Sequence, residues 1–193
     1  MSGRPTHRGI DWQVVEPDEV ERTPWRNGRG TTRELLAWPH REEWRVRVSV
    51  ADIGQDGPFS RYMGAERWFS VLEGAGVALK VGGGTQLLTP DSEPFRFLGS
   101  ADAHCSLLRG PTIDMNLMAL PGAGRMLRVR EDYLGVVPAR CLVAAYAPHG
   151  GTVAVYDEYV LDLAPRTFVW RLLQQEGPIV IEGEDALWME VRL

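Results

Sequence analysis

The chain has 193 residues, of which 44% are hydrophobic and 24% charged, and its formal net charge is −5. That length and composition suit a globular protein with a substantial buried core, in one large or two small domains, and the negative balance argues against nucleic acid or an anionic membrane as a partner. Two isolated cysteines, Cys105 and Cys141, make neither a disulfide framework nor a zinc site, and no apolar run approaches the ~20 residues that span a bilayer.

The first residues, MSGRPTHRGIDW, lack the apolar stretch of a secretory signal, so a cytoplasmic protein is expected. Residues 1–10 are polar and expected to be loose. Asp11–Glu16 reads as a first strand, and Glu16–Val20, with Pro17 near its start, as a single helical turn. Asn27-Gly28 and Gly30 punctuate a loop over Pro24–Gly30. Thr31 and Glu34 fit a helix capping box, but Pro39 leaves barely one turn after them, so Thr31–Trp38 is read as a strand. Trp44–Val50 alternates strictly, which predicts Trp44, Val46, Val48 and Val50 on one face and Arg45, Arg47 and Ser49 on the other.

Asp56-Gly57-Pro58 is a turn, and Arg67–Leu72, Glu73-Gly74 and a strand from Val77 give the signal of a β-hairpin. Gly82–Gly84 is another turn, followed by short strands near Gln86–Leu88, Phe95–Leu98, Ser106–Leu108 and Ile113–Leu120. The second half repeats the style at Arg125–Arg130, Cys141–Ala147, Thr152–Tyr156, Tyr159–Leu163, Thr167–Leu172, Pro178–Glu182 and Leu187–Leu193. No segment sustains a helical period, so the fold class is all-β, a sandwich or barrel. Pro121–Gly124 divides a lobe over residues 1–120 from a second over 121–193 that shares its core. Ile181–Glu184 echoes Leu72–Ala75, a faint sign of duplication.

Four stretches carry a resemblance to a known family: PWRNGRGTTREL (24–35), WRVRVSVADI (44–53), DGPFSRYMGAERWFSVLEG (56–74) and GPTIDMNLM (110–118). On these the chain resembles the HutD/Ves family and, through the VLEG stretch, the cupin superfamily. Arg29 stands where the family usually has Gly, and Tyr62-Met63 replaces Phe-Pro. The resemblance implies a bicupin-like β fold without the cupin metal site and an accessory role in bacterial histidine utilisation, with a ligand such as urocanate or a formylated amino acid. A cupin would place two histidines near Ser60–Met63 and a glutamate near Arg67. This chain has no histidine between His40 and His104, and it has a guanidinium in place of the carboxylate.

The candidate ligand-binding residues follow from these motifs. Arg67 would neutralise a carboxylate, Asn27, Thr32 and Ser60 would supply neutral hydrogen bonds, and Trp25 and Phe59 would form apolar walls. Gly28, Arg33 and Glu34 belong to the same loop and strand, with Arg33 and Glu34 on opposite faces, and Ser49 sits beside two arginines. Asp114 and Asn116 alternate with apolar residues and could face a barrel interior. Lys80 is the only lysine beside 20 arginines, so each arginine has to be argued by its position. His7, His40, His104 and His149 show no paired spacing, and no nucleophile elbow, phosphate loop or Cys/His signature appears. No metal, cofactor or catalytic residue is therefore assigned. The expected partner is a small carboxylate, with a homodimer left open. The competing reading is a metal-independent isomerase or hydrolase, for which Glu34 is the nearby general base.

Overall fold

A computed structural model describes residues 12–155 and 160–193. The expectations for residues 1–10, for Asp11 and for the strand ends at Tyr156 and Tyr159 lie outside the described residues. The described chain is all-β apart from one 3-10 turn, Pro17–Glu19. The strands are β1 (Gln13–Val15), β2 (Thr23–Pro24), β3 (Gly30–Trp38), β4 (Val46–Ile53), β5 (Gly57–Pro58), β6 (Glu66–Glu73), β7 (Val77–Val81), β8 (Gly84–Leu88), β9 (Phe95–Leu98) and β10 (Ala103–Leu107). They continue with β11 (Thr112–Ala119), β12 (Gly124–Val129), β13 (Tyr133–Val137), β14 (Cys141–Ala147), β15 (Gly151–Val155), β16 (Leu161–Leu163), β17 (Thr167–Leu173), β18 (Gly177–Glu182) and β19 (Ala186–Arg192).

These strands form four antiparallel sheets. Sheet I has the order β2-β3-β4-β11-β6-β9 and sheet II the order β5-β10-β7-β8. Sheet III is β1-β17-β14-β19-β12 and sheet IV is β13-β18-β15-β16. The two halves repeat one plan. The run β4-β11-β6-β9 over β5-β10-β7-β8 is matched, eight strands later, by β12-β19-β14-β17 over β13-β18-β15-β16. The duplication therefore lies in strand order. The Leu72–Ala75 and Ile181–Glu184 echo does not mark it, because one ends β6 and the other ends β18, strands that hold different places in the repeat.

The expected hairpin is corrected. β6 pairs with β11 and β9 in sheet I, whereas β7 pairs with β10 and β8 in sheet II, so Glu73–Gly76 carries the chain from one sheet to the facing one. Two glycines make this crossing feasible. Gly74 (φ 101°) and Gly76 (φ 105°) hold left-handed geometry, and a Cβ on either would lie 2.6 Å from the Pro111 carbonyl oxygen or 2.3 Å from that of Leu88. The true tight hairpin is β7–β8, turned by Gly82-Gly83.

Three apolar layers lie between the four sheets. Sheets I and II enclose Phe69, Val71, Val77, Leu79 and Cys105. Sheets III and IV enclose Val143, Val169, Ile179, Ile181 and Trp188. The middle layer joins the halves, with Val46, Val48, Val50 and Leu117 of sheet I against Leu142, Phe168, Leu187 and Met189 of sheet III. Because this core is shared, Leu187→Ala, at a site with no exposed surface, should lower stability by about 2–5 kcal/mol. Denaturant unfolding should show one transition shifted as a whole, and a separate early transition confined to residues 124–193 would contradict a common core.

Candidate functional site

Strand alternation in sheet I sets three rows of side chains facing the inside of the first unit. Ala37, Arg47, Met118 and Arg67 lie in register across β3, β4, β11 and β6, followed by Glu34, Ser49, Asn116 and Phe69, then Thr32, Ala51, Asp114 and Val71. A cavity of about 760 Å³ opens over them, within the size range of small-molecule sites. Its floor is sheet I. One wall is the 23–27 stretch and the other is Pro58–Tyr62, with Arg41 and Trp44 reaching in from the β3–β4 connection.

Most of the expected ligand-binding residues meet here. Trp25, Asn27, Thr32 and Glu34 line the cavity from one side, and Ser49, Phe59, Ser60 and Arg67 from the floor and the other. Two do not. Arg33 is 1% exposed on the opposite face of β3, where its guanidinium meets Asp18 at 2.7 Å and Asp52 at 3.1 Å. It faces the shared middle layer because adjacent strand residues point to opposite sides. Gly28 turns the loop with φ 69° and lines a second cavity on the far side of that loop. The departure at Arg29 is absorbed outside the site: its guanidinium donates to the Asp56 carbonyl oxygen and packs on Gly57, while its amide caps on Asn27 Oδ1 at 3.1 Å.

Two further expectations change. Trp44 precedes β4 and turns into the cavity, edge-on to Tyr62 at 6.1 Å, instead of joining the valines. Arg45 is exposed and leaves Arg47 and Ser49 as the polar pair. Residues not expected at the site include Arg26, Arg41, Trp44 and Tyr62, which come from connections with no periodic signal. Asn116 was visible as a polar residue in an alternating strand, but its partner was not.

That partner is Arg67. Its Nε and Nη2 both donate to Asn116 Oδ1, at 2.9 and 2.6 Å, and its guanidinium lies 4.2 Å from the ring centre of Phe59 and 5.6 Å from that of Phe97. Glu34, which could have paired with Arg67, is instead held by Arg41 at 2.6 Å and Arg47 at 2.7 Å, and Arg47 also donates to the Tyr62 hydroxyl at 3.1 Å. No carboxylate among the described residues ion-pairs with Arg67. Desolvation lowers its pKa to about 10, so it stays cationic at neutral pH, with cation–π contact and one amide oxygen in place of a counter-ion. Burial pushes the Glu34 pKa up, but hydrogen bonds from Arg41 and Arg47 outweigh it and hold the carboxylate below its usual value. Four guanidiniums (Arg26, Arg41, Arg47 and Arg67) face the cavity with one carboxylate, a local positive excess in a chain of net charge −5.

The donor set does not fit a cupin metal centre. No histidine or cysteine lines the cavity, and its single carboxylate is taken by two arginines. Among the described residues no group of three or more His, Cys, Asp or Glu is placed to hold a metal, and no helix is long and apolar enough to cross a membrane.

Beneath the cavity floor, Asp114 is completely buried. Burial raises its carboxyl to about 7 from an ordinary 3.8, against the opposing pull of the Thr112 hydrogen bond and the Arg67 charge. The folded state thus holds this proton more tightly than the unfolded chain does. Its contribution to stability is lost as pH rises from about 4 to 7 and changes little beyond. Asp114→Asn should therefore melt higher than the wild type near pH 8, with the gain shrinking steadily towards pH 4. A gain that is constant across that range would mean Asp114 is not the titrating group.

Comparison with known proteins places the chain. A family model described as HutD matches residues 17–157. A Pseudomonas putida protein named for the hutC 3′ region is 33% identical over 111 residues, covering 56% of this chain and 58% of that protein. Protein Ves of Cronobacter sakazakii is 32% identical over 104 residues, covering 52% and 58%. The chain spans 58% of the length of each of these relatives. The solved structure of HutD from Pseudomonas fluorescens, in a formate condition, superposes with a TM-score of 0.81 at 28% identity, over 94% of this chain and 98% of that one. A cupin 2 conserved barrel domain protein from Leptotrichia buccalis shares the fold at a TM-score of 0.54 and 8% identity, over 94% and 96%. The fold is therefore bicupin-like.

Proposed function

The chain belongs to the HutD family, and on that premise we propose that it is a small-molecule binding protein whose first-unit cavity holds a carboxylate metabolite, such as urocanate or N-formylglutamate, in an accessory or regulatory role in histidine utilisation. The observation that carries this reading is Arg67, a buried guanidinium that faces a cavity and has an amide oxygen and two aromatic rings as its partners. A buried charge is costly without a counter-charge, so a site of this kind favours an anion. A planar carboxylate can take the fork of the guanidinium bidentately, while Trp25, Trp44 and Phe59 offer flat apolar surface to an unsaturated ligand body.

The enzyme alternative has less support. It asked Glu34 to act as a general base, and Glu34 is hydrogen-bonded at both oxygens by arginines that hold its pKa low. A carboxylate so held is a weak base at neutral pH. Its role here is to fix Arg41 and Arg47 along the wall.

Arg67→Met tests the binding reading. The charged contact it removes is worth roughly 1.5–3 kcal/mol, so calorimetric titration with urocanate should show affinity reduced about tenfold or more. The melting temperature should move little, since an unpaired buried charge is lost along with two hydrogen bonds to Asn116. Arg67→Lys, which keeps charge but not the planar fork, should fall between the two. Undiminished affinity in a folded Arg67→Met protein would remove the cavity arginine from the function.

A further inference from the structure

Asp114 occupies the same face of β11 as Asn116, one row deeper, so the amide that holds Arg67 stands between the arginine and this acid. The Asp114 carboxyl has no exposed surface. Its Oδ2 accepts the Thr112 hydroxyl at 2.7 Å, and its Oδ1 has no hydrogen-bond partner. Sheet I neighbours Ala51 and Val71 flank it, in an apolar layer that includes Phe69, Leu79 and Cys105. The charged or titratable groups acting on it are Arg67 from β6, Asp52 from β4 and the Cys105 thiol from β10, with Asp56 near that thiol. The thiol, pushed up to about 12 by burial, is neutral. Arg67 is thus the sole cation in this set.

We propose that the cavity is proton-linked through Asp114: an anion bound at Arg67 is taken up together with a proton on the buried acid beneath it. This rests on the carboxylate-binding reading and adds its regulation. With the cavity empty, the Arg67 charge favours the ionised form of Asp114. A ligand carboxylate that pairs with Arg67 brings a negative charge that offsets that influence, and the change favours the protonated acid. Linkage is reciprocal, so a ligand that promotes protonation binds more tightly where the acid is already protonated. The unpartnered Oδ1 fits this role, since a carboxylate there lacks the hydrogen bonds that would stabilise its charge, and the low position of Asp114 keeps the proton out of ligand contact. The group also titrates about where cellular pH lies, with its carboxyl near 7.

The test uses formate as the probe, because it stays ionised throughout the range. Wild type and Asp114→Asn are titrated calorimetrically between pH 6 and 9, each in two buffers of different ionisation enthalpy, so that proton uptake is counted directly. The wild type should take up a fraction of a proton per formate, greatest a little above pH 7 and falling away towards pH 6 and pH 9, with affinity declining through that window by less than tenfold per pH unit. Asp114→Asn should bind with no uptake from this site and with flat affinity near the acid-limb value of the wild type. Formate binding to the wild type with constant affinity and no proton uptake would overturn the linkage and leave the binding reading standing. No formate binding at any pH would overturn both. Should Asp114→Asn fail to fold, the wild-type proton count still decides.

Discussion

Sheet I has an interior on each of its faces, and the rest of the molecule is arranged around that constraint. Consecutive residues of β3, β4, β6 and β11 must serve two different environments, the apolar layer shared with sheet III and the cavity of the first unit. Where both faces are buried, polar residues are admitted only with partners or for function. On the outer face, Arg33 is pinned by Asp18 and Asp52, and Ser70 accepts from Arg128 of sheet III at 2.7 Å. On the inner face the satisfaction is uneven. Arg47 and Glu34 complete each other, whereas Arg67 has no acid and Asp114 has no second hydrogen bond.

That unevenness separates the two units. At the corresponding rows of sheet III, Arg125 grips both oxygens of Glu190 at 2.8 and 2.6 Å, Glu190 also accepts from the Trp188 indole at 2.7 Å, and Arg125 reaches Tyr133. There Arg125 is matched by a carboxylate on the neighbouring strand. In the first unit Arg67 has no such acid among the described residues, and a cavity lies above it. One strand plan therefore carries different polar pairs in its two copies.

Much of this was legible in the chain, and the parts that were not share a physical cause. Alternation at Val46–Val50 gave the strand and its two faces, and the absence of histidine near Ser60 together with Arg67 pointed to a guanidinium in place of a metal ligand, which the cavity lining contains. Alternation also states that Arg33 and Glu34 diverge, but cannot say which one faces the ligand side. Only the partner strands decide that, and a β-bulge between Glu34 and Leu36 then puts both Leu35 and Leu36 out of view of the cavity. The sequence Leu72–Gly76 has the local chemistry of a hairpin, and the same glycines also suit a crossing between facing sheets. The distinction lies in what β7 pairs with, namely β8 directly after it and β10 further on, and not β6 before it. Trp44 and Tyr62 lie in connections, where side-chain direction follows from loop path and not from period. Asn116 could be placed on a face, yet its value depends on Arg67, 49 residues away.

β1 belongs by position to the first half of the chain and by pairing to the second: Gln13, Val14 and Val15 lie against Trp170, Val169 and Phe168. The two units are thus stitched crosswise, with β1 lying as the outermost strand of sheet III. Dividing the polypeptide at the Pro121–Gly124 turn would not yield two whole units. The later fragment would lose the strand that covers β17, exposing a free edge of backbone donors and acceptors beside an uncovered apolar layer, the kind of edge on which copies of a chain add to one another. Exchange of that first strand between neighbouring molecules would cover the edge equally well, so the crosswise stitch is also a route by which two copies could become entangled while folding.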